Sequence, residues 1–140
     1  MALILCLETA TRVCSVSLSN GLSLLGIRES ETSNAHSSKL TVFVDEILKE
    51  AGHTLQQLDA IAVSMGPGSY TGLRIGVATA KGLCYALDKP MIAIPTLQAM
   101  AVGINSELKI KNFGEEEIEK FRISDLDCGF RISDFGLRIC

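Results

Sequence analysis

Hydrophobic positions along the first hundred residues follow two different periods. Ala2 to Leu7 is a short continuous apolar run, the pattern of a central strand. From Arg12 to Ser19 the residues alternate, Cys14, Val16 and Leu18 against Val13, Ser15, Ser17 and Ser19, which predicts a half-buried strand. Asn20-Gly21 is a tight-hairpin dipeptide, so Leu22 to Glu29 is expected to return antiparallel and complete a three-stranded meander.

After a polar loop, Glu31 to Ser37, the period lengthens. Leu40, Phe43, Val44, Ile47, Leu48 and Ala51 fall at i, i+3, i+4, i+7, i+8 and i+11, one apolar face of a helix from Ser38 to Ala51. Ser37 or Ser38 is the expected cap and Gly52 the stop; Asp45, Glu46, Lys49 and Glu50 form a solvated opposite face. Ala60 to Met65 has the length and β-branched content of a buried strand. A second helix is predicted from Tyr70 or Thr71 to Leu87, a parallel-type strand over Met91 to Ile94, and a short helix from Pro95-Thr96 through Ala101. This order predicts an α/β fold: a mixed sheet, three strands in an antiparallel meander and the others parallel, flanked by helices.

The joint between the buried strand and the second helix reads Gly66-Pro67-Gly68-Ser69-Tyr70-Thr71-Gly72-Leu73-Arg74-Ile75-Gly76 and holds four of the twelve glycines. Glycine there lets the main chain come close to a neighbour, and a helix N-terminus favours anions or carbonyl oxygens. Neither common nucleotide fingerprint is present. Gly72 comes one residue late for G-x-G-x-x-G, and no lysine follows it as a phosphate loop requires.

This run, with Leu3-Ile4-Leu5-Cys6-Leu7-Glu8-Thr9-Ala10-Thr11, closely resembles the TsaB (YeaZ) family from about Met1 to Ala101. The resemblance implies one lobe of the actin-like ATPase fold (ASKHA, ribonuclease H-like). It also implies a non-catalytic subunit supporting a TsaD-type paralogue, with a TsaE-type ATPase, in threonylcarbamoyl modification of tRNA adenosine. ATPase relatives place a carboxylate and hydroxyls at the end of the first strand. Glu8, Thr9 and Thr11 stand at those positions as nucleotide-binding candidates, with ATP and magnesium expected only if a partner lobe completes the cleft. Wider relatives bind metal through His-x-x-x-His on the first long helix. Here His36 faces Leu40 at the partner position and His53 lies seventeen residues on, so no metal site is expected. Ser69 and Thr71 have no histidine and carboxylate within reach and are read as helix caps, so no catalytic residue is assigned.

The two long helices are then the expected interface, with the TsaD-type paralogue or with a second copy of the chain as a helical dimer, through Leu40, Phe43, Val44, Gly72, Arg74, Gly76 and Ala80. Gly72, Gly76 and Ala80 form a line of small residues at intervals of four. Close packing within the chain and close packing against another polypeptide both satisfy such a line. On the second reading, a bulky residue at Gly76 breaks association and leaves the lobe folded. Two other functions compete: an independent ATPase or metallopeptidase of the same superfamily, and an inactive truncated remnant that forms a homodimer.

Composition narrows the partners. The net charge is −3, and residues 1–106 hold only seven scattered Lys and Arg, too few for a phosphate-binding stripe, so any contact with tRNA is expected to be indirect. No basic leader precedes the apolar run, which Glu8 cuts short, so neither signal peptide nor membrane span is expected and the location is read as cytoplasmic. Five cysteines without a C-x-x-C pair are read mainly as buried fillers. From Glu107 the character changes: the last thirty-four residues carry fourteen charges against fifteen in the first 106, and Phe121 to Asp125 recurs as Phe130 to Asp134. The chain is therefore divided into a lobe, 1–106, and a divergent charged tail, 107–140, in which Glu115 to Phe121 has weak helical character.

Overall fold

The structure, a computed structural model, describes residues 1–31 and 39–110. His36, the Ser37 or Ser38 cap, Glu115 to Phe121, the five-residue repeat, Cys128 and Cys140 lie outside the described residues. Two compact units follow one another, the first comprising Met1–Thr96 and the second beginning at Leu97.

In the first unit, β1 (Leu3–Glu8), β2 (Cys14–Asn20) and β3 (Ser23–Ser30) form the antiparallel meander. Helix α1 (Leu40–Glu50) follows, then a 3-10 turn (Leu55–Gln57), β4 (Ala60–Gly66), α2 (Tyr70–Leu87) and β5 (Met91–Pro95). The strands make one sheet in the order β3-β2-β1-β4-β5, with β1 and β4 parallel and β4 and β5 parallel. Parallel neighbours need a long crossover. Between β1 and β4 the connection passes through the rest of the meander and α1; between β4 and β5 it is α2.

The alternation foreseen in the meander sets its faces. Leu3, Leu5 and Leu7 of β1 and Cys14, Val16 and Leu18 of β2 turn to one side, all buried, and meet Leu40, Val44, Ile47 and Leu48 of α1. Ala60 to Ser64 are all buried, so β4 is covered on both faces, as a continuous apolar strand requires. A two-bond clasp, one bond to a side chain and one within the main chain, ties the entries of β1 and β4 together. Leu3 N donates to Asp59 Oδ2 at 2.7 Å, and Asp59 N donates to Leu3 O at 2.8 Å. Part of the α1 outer face does more than meet solvent, because Glu46 and Glu50 hold Arg28 of β3.

Helix α2 lies on the same core with its line of small residues inward. Gly72, Gly76 and Ala80 are its buried positions. A Cβ at Gly72 would be driven into the carbonyl oxygen of Thr9, and one at Gly76 into Thr9 Oγ1. Gly82, on the same helix, has nothing within 4 Å of an added Cβ.

Helix α3 (Thr96–Ile110), which from Leu97 onward belongs to the second unit, is longer than the stretch to Ala101 predicted above. Gly103 is the only helix breaker in its path, and one glycine costs about 1 kcal/mol, too little to end a helix by itself. The helix therefore passes position 106 without interruption.

Two outcomes are expected. Gly72→Ala should destabilise the chain by about 1–3 kcal/mol through overpacking against a rigid carbonyl, while Gly82→Ala should stabilise it by about 0.4–1 kcal/mol; urea unfolding of both variants checks the contrast. Burial raises the thiols of Cys6, Cys14 and Cys84 above their ordinary value. Stability from these neutral thiols is complete below the unfolded pKa and falls as pH rises through the folded one. At neutral pH, peptide-resolved alkylation should be slow at these three cysteines until the chain is unfolded.

Candidate functional site

The glycine-rich joint leaves β4 at Gly66, whose φ of 111° lies in a region L side chains rarely adopt, and passes a cis Gly66-Pro67 bond to reach Ser69. Ser69 is the N-cap: its side chain accepts from Gly72 N at 3.3 Å, and its carbonyl accepts from Leu73 N at 2.8 Å. The helix end is not open. Ser69 N donates to Ala10 O at 2.7 Å, and an added Cβ at Gly68 would strike Ala10. With Gly72 pressed on Thr9 O, the loop after β1 presents two carbonyl oxygens to the positive end of α2. Carbonyl oxygens of the chain's own loop thus stand at this end, with the Ser69 hydroxyl as the cap.

The three nucleotide candidates are likewise engaged. Glu8 accepts from Ala10 N at 2.7 Å through Oε1 and from the buried Ser64 hydroxyl through Oε2. Thr9 is fully buried, its Oγ1 against Gly76 and without a hydrogen-bond partner in the described structure. Thr11 Oγ1 accepts from Val13 N at 3.2 Å in the exposed loop. A nucleotide with magnesium needs a carboxylate and hydroxyls that point outward together. Glu8, Thr9 and Thr11 do not fit that group in this lobe: Glu8 is held by its own loop and a neighbouring strand, Thr9 Oγ1 is shut in against Gly76, and Thr11 Oγ1 turns to Val13 N.

No three His, Cys, Asp or Glu side chains converge on a common point among the described residues. His53 lies beyond α1 with Nδ1 3.2 Å from Gln57 Oε1, in the capping box of the 3-10 turn. No described helix is long and apolar enough to cross a membrane.

The interface candidates divide. Leu40, Val44, Gly72, Gly76 and Ala80 are buried in the lobe itself, and Phe43 is half-buried against the same core. The small-residue line is therefore an internal packing surface, because α2 must lie flush on the loop after β1. The outcome foreseen for a bulky residue at Gly76 is corrected with it, since that side chain would enter Thr9 before it met any partner. Arg74 alone of the seven is exposed, and its guanidinium stands 5.5 Å from the centre of the Tyr70 ring.

Arg74 belongs to a different face. Tyr70, Leu73, Arg74, Val77, Ala78 and Lys81 line an open groove along the outer side of α2. Tyr70 is 75% and Tyr85 93% exposed, while Ala78, Gly82 and Ala86 continue the line from Arg74 at intervals of four. Two small-residue lines thus run along one helix. The sequence reading chose the one richer in glycine; two tyrosines and two cations beside the other were the signal for the outer one.

The family model described as TsaD, tRNA N6-adenosine threonylcarbamoyltransferase, matches residues 19–113. The chain is 41% identical over 98 residues to the tRNA threonylcarbamoyladenosine biosynthesis protein TsaB of Haemophilus influenzae, covering 70% of this chain and 41% of that protein. To the Escherichia coli protein of the same name it is 38% identical over 100 residues, 71% of this chain and 43% of the relative. Among solved structures, YeaZ from Pseudomonas aeruginosa superposes with a TM-score of 0.64 at 37% identity, over 68% of this chain and 44% of that one. The chain thus spans less than half the length of these relatives. The five-stranded sheet with its flanking helices is the actin-like, ribonuclease H-like lobe that the residues at Leu3–Thr11 and Gly66–Gly76 suggested. Over its N-terminal part the chain belongs to the threonylcarbamoyltransferase-type family matched by the TsaD model, and within it to the TsaB (YeaZ) branch.

Proposed function

We propose that this chain is a non-catalytic scaffold that supports a TsaD-type transferase during threonylcarbamoyl modification of tRNA adenosine, working with a TsaE-type ATPase in the cytoplasm. The observation that carries the reading is the outer face of α2. It combines exposed aromatic rings, an apolar groove and a small-residue line where a second helix can approach. The names of the relatives supply the modification, and the engagement of both Glu8 carboxylate oxygens by Ala10 N and the Ser64 hydroxyl favours support over chemistry. Contact with tRNA runs through the partner, since the lobe carries no basic stripe. Arg74 and Lys81 suit a partner helix bearing carboxylates, and charge at the rim of a contact directs association.

Binding of the full chain to the TsaD-type transferase of its own source, followed by calorimetry, is the test. Gly82→Leu and Lys81→Glu should each weaken the complex about tenfold or more, with the unfolding midpoint not lowered by either because both positions are exposed. Unaltered affinity in both variants removes α2 as the contact, and absence of any complex with the unsubstituted chain removes the scaffold role.

A further inference from the structure

Helix α2 carries positive charge only. Residues 1–106 hold seven cations and eight anions, yet Arg74 and Lys81 are the only charged residues from Tyr70 to Leu87. Among the described residues neither of them pairs with a carboxylate, whereas Arg28 and Lys49 are both engaged by carboxylates of α1. Arg74 and Lys81 are exposed, and seven residues apart they stand on one line of the helix, about 10 Å from each other along its axis. Arg74 is also steadied from one turn back, its Cζ lying 5.5 Å from the centre of the Tyr70 ring, within reach of a cation–π contact. A guanidinium laid over a ring keeps the N–H donors of its edge free. Rotamer freedom given up before association is not lost again on binding.

We propose that Tyr70 sets Arg74 to grip a carboxylate of the transferase through two parallel N–H···O bonds, and that Lys81 takes a second carboxylate two turns along the same partner helix. This rests on the reading that the outer face of α2 meets the transferase, and it specifies what that partner must carry. Between and beside the two cations the groove is lined by Leu73, Val77 and Ala78, with Gly82 beyond. These positions fit the apolar stripe of a helix and offer a sugar–phosphate chain nothing to bond, and two cations are too few to hold nucleic acid. A partner helix lying nearly along α2 advances by the same rise per residue, so acidic side chains seven positions apart on it meet both cations at once. Paired bonds from the fork of Arg74 fix the register, which a point charge cannot do.

Calorimetry of the full chain with the transferase of its own source tests the grip. Arg74→Lys keeps the charge and loses the planar fork, and should weaken the complex about tenfold. Tyr70→Phe keeps the ring and should preserve the affinity. Tyr70→Ala should weaken binding about two- to fivefold when Arg74 is present and add nothing in an Arg74→Gln background. Both positions are exposed, so the circular dichroism spectrum should be kept. Added salt should weaken the unsubstituted complex more than one carrying Arg74→Gln with Lys81→Gln. Arg74→Lys binding as tightly as arginine overturns the proposal, as does an equal cost of Tyr70→Ala in both backgrounds or an equal salt dependence. So does a chain that binds unmodified tRNA by itself and loses it with Arg74→Gln, or one in which Arg74→Gln disrupts only self-association. If Gly82→Leu weakens the complex and Arg74→Lys does not, the contact on α2 stands and the grip alone falls; if neither weakens it, both fall.

Discussion

Contact without clearance between α2 and the loop after β1 is the constraint from which the rest of the lobe follows. Gly68, Gly72 and Gly76 each face Thr9 or Ala10 with no room for a side chain, and Ser69 N bonds to Ala10 O across the same seam. The seam holds the N-terminus of α2 against the end of β1. The helix then lies over β4 with Ala80 at the core, and Ile61 and Val63 are sealed from water on that side. Close packing of this kind is short-ranged and unforgiving, because interiors are as dense as organic crystals and a carbonyl held in a loop has no rotamer to escape into.

The same seam decides what the glycine-rich joint is for. Phosphate-binding loops use glycine so that amides can surround an anion, whereas this loop uses glycine so that the helix, capped by the Ser69 hydroxyl, can lie against Thr9 and Ala10. Glu8 completes the closure by accepting from Ala10 N and from Ser64, fastening the end of β1 to β4. The end of β1 thus contacts its own lobe through Glu8 and Thr9. What stays available is the outside of α2, where Tyr70, Arg74, Lys81 and Tyr85 face solvent.

Most of the architecture was legible in the residue pattern because one physical cause dominated each element. Alternation in Cys14–Leu18 forced a half-buried strand, Asn20-Gly21 forced a hairpin, and the 3-4 spacing of Leu40 to Leu48 forced an amphipathic helix. The end of α3 was not legible, since Gly103 sits at a cost that neighbouring helix-forming residues outweigh. The direction of the small-residue lines on α2 was not legible either. A glycine on a helix marks a close neighbour without saying which, and only the position of Thr9, sixty-odd residues away in sequence, identifies it. Glu8 was read from its place at the end of the first strand as a nucleotide-binding candidate. The arrangement of the chain brings the Ser64 hydroxyl to it, which no local pattern could indicate.

The clasp between Leu3 and Asp59 spans fifty-six positions of sequence, and every contact of β1 with β4 is of similar reach. During synthesis the meander leaves the ribosome first, with the apolar flank of β1 bare on the side where β4 will lie. At roughly 5–20 residues per second the interval lasts several seconds, counting the stretch still inside the exit tunnel. A stop before β4 has emerged leaves a three-stranded fragment whose β1 edge, unpaired, is open to neighbouring chains on the polysome.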